Sequence, residues 1–259
     1  MKKLLLLFIL SFVFSLQAQT TAVSPVLGNP SGATAVESNA DNFLVVHTDY
    51  ILSYNKSRGA SNWVAWHLAK SDLNGVKRID AFAPDQTLPR EWWIVPSVYD
   101  NAGFDRGHLC PADDRTSSRE AMNETFLMSN MQPQTHHLNA GAWKSLEDYA
   151  RAEVDGKNLE AYIYAGCYGD AGRIKDKVTI PTMCWKVVVL LPEGNGDLRR
   201  IKEDTRVIAV DMDNTKTTKS GWRNHRVTID ELEKRTGYDF LAPVSDRIEN
   251  LIEAKKNTD

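Results

Sequence analysis

Residues 105–113 read Asp-Arg-Gly-His-Leu-Cys-Pro-Ala-Asp, and residues 139–151 read Asn-Ala-Gly-Ala-Trp-Lys-Ser-Leu-Glu-Asp-Tyr-Ala-Arg. The apolar residues of the second stretch recur with the spacing of an amphipathic helix. On a regular helix, with about 100° between successive residues, Asn139, Glu147 and Arg151 fall within one sector of about 120°. We therefore predict that an amide, a carboxylate and a guanidinium face one site.

The residue types in these two stretches suit the hydrolysis of a phosphodiester. A histidine such as His108 has an ordinary pKa of about 6.5, so it can be neutral and accept a proton from water. The amide oxygen of Asn139 suits Mg²⁺, a hard ion that keeps several of its waters. Glu147 can hold those waters through hydrogen bonds, and an arginine fork stabilises a doubly charged transition state. Together these groups predict a metal-assisted phosphodiester hydrolysis site.

Outside these stretches, short β-branched and aromatic runs predict a set of strands. They lie at residues 43–47, 50–54, 63–68, 159–167, 184–191 and 206–212. Helices are predicted at about 118–126, 138–154, 230–235 and 244–255, and the proline-rich residues 84–104 are predicted to be loop. Because strands and helices are grouped rather than alternating, the pattern favours an α+β fold.

The N-terminus has the features of an export signal. Lys2 and Lys3 precede an apolar run of 13 residues from Leu4 to Leu16, and Ala18 is a small residue at a plausible cleavage point. The run is shorter than the roughly 20 residues of a membrane-spanning helix, so no membrane anchor is expected. We predict a signal peptide at 1–18, an N-terminal arm or linker at 19–40 and a single domain at 41–259. The mature protein would be secreted or periplasmic.

Composition and charge exclude several classes of protein. The chain has 259 residues, of which 42% are hydrophobic, so it is not a disordered protein. Its 31 basic and 34 acidic residues give a net charge of −3, which argues against a partner recognised by bulk positive charge. Export permits a disulfide among its three cysteines. Cys167 and Cys184 border two strand-like runs and could pair, but Cys110 could replace either of them.

The full motif set resembles the non-specific DNA/RNA endonucleases of the ββα-metal, or His-Me finger, group. The residues that carry the resemblance are Asp105-Arg106-Gly107-His108, Asn130 with Pro133-Gln134, and Asn139-x-Gly141-x-Trp143-x-x-Leu146-Glu147-x-x-x-Arg151. It extends to residues 28–31, 61–67 and 78–85 upstream and to 180–181, Lys186 and 236–237 downstream. A four-residue match alone would be weak, whereas the whole set at this spacing covers nearly all of the mature chain.

The resemblance implies a central, mostly antiparallel sheet flanked by helices, in which a β-hairpin and a helix hold the metal ion. It implies that DNA and RNA are both substrates and are cut to leave 5′-phosphates. His108 would be the general base and Asn139 the direct ligand of Mg²⁺, with Mn²⁺ as a possible substitute. Arg78 would stabilise the transition state, and Glu147 and Arg151 would support the waters of the metal.

Arg106, Asn130 and Gln134 are assigned to the substrate by the same resemblance. From the residue pattern by itself, Arg106 and Asp105 would organise the turn before His108. Asn130 could also support the metal's water shell.

Each assignment has a structural alternative. His108 could be a buried structural histidine, Asn139 a helix cap and Glu147 a solvated carboxylate, while Arg90 competes with Arg78. Trp143 is expected to pack in the core. The adjacent His136 and His137 would point about 100° apart on a helix, so we expect surface histidines rather than a metal pair.

Two other functions stay open at this stage. One is a non-catalytic nucleic-acid-binding protein on the same scaffold, and the other is a phosphodiesterase for a different nucleotide substrate. The sequence also leaves the oligomeric state open.

Overall fold

The computed structural model describes residues 26–73 and 75–257, so the predicted signal peptide lies outside the described residues. The strands are β1 (Phe43–Val46), β2 (Ile51–Asn55), β3 (Ala60–Leu68), β4 (Asp105–His108), β5 (Met131–Gln134), β6 (Leu159–Tyr168), β7 (Arg173–Ile174), β8 (Val178–Thr179), β9 (Met183–Pro192), β10 (Arg206–Asp213) and β11 (Arg226–Val227). The α-helices are α1 (Arg119–Glu124), α2 (His136–Leu138), α3 (Lys144–Lys157), α4 (Asp197–Arg200), α5 (Ile229–Thr236) and α6 (Asp246–Glu253). Shorter 3₁₀ turns are Glu37–Asn42, Lys70–Asp72, Arg90–Trp92, Pro96–Tyr99, Ala112–Asp114, Met128–Asn130 and Trp222–His225, and Asn139–Trp143 is a π-helical segment.

Seven strands form one antiparallel sheet in the order β1-β2-β3-β6-β9-β10-β11. Its central strands are buried on both faces, because β6 and β9 carry nearly unbroken apolar runs rather than an alternation of polar and apolar residues. The predicted fold class, a mostly antiparallel sheet flanked by helices, is confirmed.

Helices cover the two faces of this sheet through separate apolar cores. Val64 and Trp66 of β3 point to the core that contains Leu146 and Val154 of α3. The intervening residues of β3 contribute to a second core with residues of α5 and α6. Alternate strand residues face opposite sides, so α3 and the α5–α6 pair lie on opposite faces. No helix among the described residues has the length and apolarity needed to cross a membrane.

The segment predicted as an N-terminal arm packs on the sheet from residue 26 onward. Leu27 and Ala33 are buried in the second core. The Tyr164 hydroxyl donates a hydrogen bond to the carbonyl of Gly28 at 2.8 Å. Residues 26–40 are therefore packed against the same body as residues 41–257.

The cysteine pairing is decided by the sheet register. Cys167 of β6 lies directly opposite Cys184 of β9, and the two form a disulfide. Cys110 is a buried free thiol. Of the pairings that the sequence left open, the structure contains the one between the two strands.

Candidate active site

A small antiparallel pair and the helix after it build the site. Residues of β4 pair with β5, with Asp105 opposite Gln134 and His108 opposite Met131. Thr135 then caps the helical segment through its side chain, which accepts the backbone N–H of Leu138. This ββα arrangement borders a cleft of about 220 Å³ that is lined by Arg78, Arg106, His108, Pro111, Ala112, Asp113, Asn139, Ala140, Lys144 and Glu147.

Five of the eight predicted site residues meet in this cleft: Arg78, Arg106, His108, Asn139 and Glu147. The other three, Asn130, Gln134 and Arg151, do not line it.

The helix that carries Asn139 and Glu147 is not regular, which corrects the sequence prediction. Residues 139–143 form a π-helical segment, in which Gly141 leaves helical geometry with φ −99° and ψ −109°. A π segment inserts one extra residue into a turn. The regular spacing of about 100° per residue therefore does not hold between Asn139 and Glu147, yet both side chains line the cleft.

His108 is buried between two aromatic rings and is held in its neutral form. Its ring centroid lies 5.9 Å from that of Phe82 and 4.9 Å from that of Phe126, and the side chain is only 9% exposed. Burial is the main cause that lowers the pKa of His108 to about 3; the positive charge of Arg78 adds to this effect and the charge of Asp80 opposes it. Nε2 is buried without a hydrogen-bond partner. The imidazole is therefore unprotonated at neutral pH.

The backbone of His108 is fixed by a tryptophan of the neighbouring helix. Trp143 is buried, as predicted, and its Nε1–H donates to the carbonyl oxygen of His108 at 3.0 Å. This hydrogen bond ties the strand that carries His108 to the helix that carries Asn139.

Asn130 positions the chain after His108 instead of reaching the cleft. It is fully buried, and its Oδ1 accepts the backbone N–H of Cys110 at 2.9 Å. Its Nδ2 donates to the carbonyls of Cys110 and Thr125, both at 2.8 Å. Both N–H donors of the amide are therefore used, and its oxygen is buried with a backbone partner. This placement gives Asn130 a structural role and does not bring it to the cleft where a substrate contact was predicted.

Gln134 lies behind the hairpin rather than in the cleft. Its side chain is fully buried and packs over Gly107, where an added Cβ would lie 2.2 Å from Gln134 Oε1. Any side chain at position 107 would therefore force Gln134 to move. In this placement Gln134 does not line the cleft, where a substrate contact was predicted.

Asn139 is oriented by Asp105, which the sequence analysis assigned only to a turn. Asn139 Nδ2 donates to Asp105 Oδ2 at 2.9 Å, and the same oxygen lies 2.9 Å from His136 Nδ1. Asn139 Oδ1 makes no hydrogen bond with any residue that the structure describes. The amide oxygen is thereby left available to a ligand. His136 and His137 are both exposed, as predicted.

Glu147 forms a buried ion pair that sequence analysis did not identify. Lys186 Nζ of β9 lies 3.0 Å from Glu147 Oε1, and Lys186 is almost completely buried against the Trp143 ring, 4.0 Å from its centroid. Burial raises the pKa of Glu147, and the charge of Lys186 opposes this rise. Burial also lowers the pKa of Lys186. In the sequence, this ion pair is indicated only by the position of Lys186, a lysine within the otherwise apolar run Trp185–Leu191.

Arg151 belongs to a second buried pair behind the cleft. Its Nη1 donates to Asp114 Oδ1 at 2.7 Å, and Trp66 Nε1 donates to the other oxygen of Asp114 at 2.9 Å. Burial acts to lower the pKa of Arg151, but Asp114 and Glu147 outweigh it and raise the pKa overall. Arg151 therefore anchors α3 and adds positive potential near Glu147, without lining the cleft.

The basic side chains of the cleft are held by exposed carboxylates. Arg78 Nε bonds Asp80 at 2.9 Å, Arg106 Nη2 bonds Asp100 at 2.7 Å, and Lys144 Nζ bonds Asp148 at 2.7 Å. The three carboxylates are each more than half exposed. Exposed ion pairs contribute about 0–1 kcal/mol, so a phosphate can displace these partners with little loss.

Comparisons with known proteins find relatives and a solved structure that match most of this chain. The sequence profile described as DNA/RNA non-specific endonuclease matches residues 27–247. A nuclease of Nostoc sp. is 48% identical over 236 residues, which are 90% of this chain and 86% of that protein. Nuclease C1 of Cunninghamella echinulata is 29% identical, over 74% of this chain and 80% of its own. The solved structure of the EndoG/EndoGI complex has a chain of similar fold, with a TM-score of 0.71 at 23% identity and coverage of 89% and 94%.

Removing Lys186 tests the buried ion pair. Lys186→Met should leave the Glu147 carboxylate buried without its direct partner and lower the free energy of unfolding by about 3–5 kcal/mol, as measured by urea denaturation. The matched control is Lys186→Met combined with Glu147→Gln, which removes both charges and should recover most of the loss. A double variant as unstable as the single one would contradict the pairing.

The neutral state of His108 predicts a pH dependence. In the unfolded chain the imidazole binds a proton below about pH 6.5, while in the folded protein it does so only near 3. This difference has no effect on stability above about pH 6.5, where neither state is protonated, and it lowers the stability of the folded protein as the pH falls from 6.5 toward 3, because the unfolded chain binds the proton first. We expect the His108 ring resonances, assigned by comparison with His108→Asn, to stay unchanged by NMR between about pH 5 and 8. A midpoint near 6.5 would refute the desolvated state.

Proposed function

Because this chain belongs to the DNA/RNA non-specific endonuclease family and is a phosphodiester hydrolase, we propose that it cuts DNA and RNA at the cleft shared by His108, Asn139 and Glu147. Its products would be 5′-phosphates and its cofactor Mg²⁺, with Mn²⁺ as a substitute. The observation that carries the proposal is a neutral, buried imidazole in the same cleft as an amide oxygen without a hydrogen bond.

The donor set of the cleft fits a hard divalent cation. Asn139 Oδ1 is a neutral oxygen whose amide is oriented by Asp105, and the Glu147 carboxylate lines the same cleft. Mg²⁺ keeps most of its waters when it binds to proteins. Asn139 would hold the ion, and Glu147 would hold its waters. When bound, such an ion would supply Lewis-acid stabilisation of the charge on the phosphate.

His108 is suited to remove the proton of the attacking water. The water oxygen forms a bond to phosphorus, its proton passes to the neutral imidazole, and the bond from phosphorus to the 3′ oxygen breaks. The 3′ oxygen takes a proton from solvent, and the phosphate stays on the 5′ side. The low pKa of His108 means that the base is already unprotonated at neutral pH.

Arg78 and Arg106 supply positive charge to the phosphate during this step. Both line the cleft, and both are held against aromatic rings, with Arg78 5.0 Å from the Phe126 ring and Arg106 5.0 Å from the Phe82 ring. A guanidinium donates two parallel hydrogen bonds to phosphate oxygens. These are the same rings that bury His108, so the arginines and the base are positioned together.

The chemistry of the cleft favours recognition of the nucleic-acid backbone over its bases. Arg78, Arg106 and Lys144 suit phosphate, which DNA and RNA share, so a weak dependence on sugar and sequence follows. Binding through phosphate contacts weakens as salt rises. Because the overall charge of the chain is −3, nucleic acid would be attracted only by the local positive charge of the cleft and not by the protein as a whole.

We further propose that the chain is exported after removal of residues 1–18, on the strength of its charged and apolar N-terminal pattern. The mature protein would be periplasmic or secreted. N-terminal sequencing of the native protein should find Gln19 as the first residue. A chain that begins with Met1 in the cytoplasm would contradict this part of the proposal.

Replacing the base tests the catalytic assignment. His108→Ala should lower the rate of cleavage of supercoiled plasmid and of RNA in Mg²⁺ by about 10²–10⁴-fold, because it removes the imidazole that would take the proton. His137→Ala, an exposed histidine outside the cleft, is the matched control and should cut at the wild-type rate. Wild-type cleavage by His108→Ala would exclude His108 as the base. A wild-type protein that binds nucleic acid without cutting it in Mg²⁺ would point to a binding function.

Replacing the amide tests the metal assignment. Asn139→Ala should raise the Mg²⁺ concentration required for half-maximal plasmid cleavage by about tenfold or more, because it removes the direct ligand. Chelation with EDTA should abolish the wild-type activity. An Asn139→Ala protein with an unchanged Mg²⁺ titration would show that the ion is held elsewhere.

A further inference from the structure

Three carboxylates converge between α5 and α6, on the face of the sheet opposite the cleft. Asp230 and Glu233 are three residues apart on α5, and Glu253 is the last residue of α6. One oxygen of each lies within 4.8 Å of an oxygen of the other two. The sequence analysis did not single out any of them, because they belong to two helices that meet only in the folded chain.

Glu253 is a buried acid without a partner, and it is directed into this cluster. The residue is only 6% exposed, and its Oε1 is buried with no hydrogen bond. It ends α6, where the negative end of the helix dipole disfavours a carboxylate. Burial and the neighbouring charges of Glu233, Glu249, Asp230 and Asp239 raise the pKa of Glu253 to about 9. A buried acid in this position requires either a proton or a counter-ion.

No basic side chain among the described residues forms an ion pair with the cluster. Asp230, Glu233 and Glu253 have no salt bridge to a residue that the structure describes. Glu233 accepts one hydrogen bond, from the backbone N–H of Phe240 at 2.8 Å. Glu249 and Asp239 add negative potential. The cluster thus presents three converging carboxyl groups that form no ion pair with any basic residue the structure describes.

We propose that Asp230, Glu233 and Glu253 bind one Ca²⁺ ion that links α5 to α6. Calcium takes oxygen ligands at about 2.3–2.6 Å in flexible geometry, so two oxygens on opposite sides of it lie about 5 Å apart. Mg²⁺ requires nearly regular octahedral geometry and keeps several of its waters, so it is less suited to a site that offers three carboxylates. The site lies on the other face of the sheet from His108, so it is independent of the nuclease chemistry.

The role of such an ion would be to hold the C-terminal helices on the sheet. Ile229 and Leu232 of α5 and Ile252 of α6 are buried in the second core beside the carboxylates. An ion that binds only the folded state stabilises it in proportion to the logarithm of its concentration. We therefore expect Ca²⁺ to raise the stability of the protein without changing the residues at the cleft.

The test is calorimetric titration of Ca²⁺ into chelator-treated Asn139→Ala, a background in which the proposed cleft ligand is absent. One ion per chain should bind. Adding Glu253→Gln, which keeps the shape and removes the charge, should weaken binding at least tenfold. Adding Glu193→Gln, an exposed glutamate outside the cluster, should leave binding unchanged. Asp230→Asn, at an exposed ligand position, provides a second variant that is expected to fold and to weaken binding.

Thermal unfolding gives an independent measurement on the otherwise wild-type protein. Ca²⁺ at about one hundred times its dissociation constant should raise the unfolding midpoint by about 5 °C or more relative to EDTA, and Glu253→Gln should lose this rise. An equal rise in Glu253→Gln, or no Ca²⁺ binding at all, would overturn the proposal. Stabilisation by acid without any effect of Ca²⁺ would also overturn it, since Glu253 would then carry a proton. Plasmid cleavage in Mg²⁺ should be unaffected by Glu253→Gln.

Discussion

The exclusion of water from one face of His108 is the constraint on which the rest of the site depends. The rings of Phe82 and Phe126 surround the imidazole, and the loss of hydration makes the protonated form unfavourable. A buried neutral imidazole with an unsatisfied nitrogen has little of its own to hold it in place. Its position comes from the backbone, which Trp143 and Asn130 fix from two sides. The imidazole is kept neutral and in place by packing rather than by a charged partner.

Charged groups around the cleft fall into two kinds, which differ in burial. Glu147–Lys186 and Arg151–Asp114 are buried pairs, and breaking one would leave an uncompensated charge in a poorly hydrated environment. Such buried pairs are suited to holding their side chains in fixed positions. The pairs of Arg78, Arg106 and Lys144 with aspartates are exposed and weak, so they are suited to exchange with a phosphate. Burial therefore separates the rigid part of the site from its substrate-facing part.

On each face of the sheet, burial disfavours the charged form of one ionisable side chain. On the α3 face, burial disfavours the charge of His108, and the histidine remains neutral. On the α5–α6 face, burial and neighbouring carboxylates disfavour the charge of Glu253, and a bound cation would compensate it. The antiparallel sheet keeps these environments apart, because its alternate residues belong to separate apolar cores.

Sequence by itself determined the positions of the main strands and helices, since their long apolar runs specify burial locally, and it predicted from residue type and spacing that His108, Asn139 and Glu147 share a site. Only the tertiary structure decided which polar side chains reach the cleft. Asn130 is held by backbone groups and Gln134 is packed over Gly107, while Lys186 meets Glu147 from a strand 39 residues away. The direction of a polar side chain depends on partners distant in the chain, so the local sequence does not predict which residue it contacts.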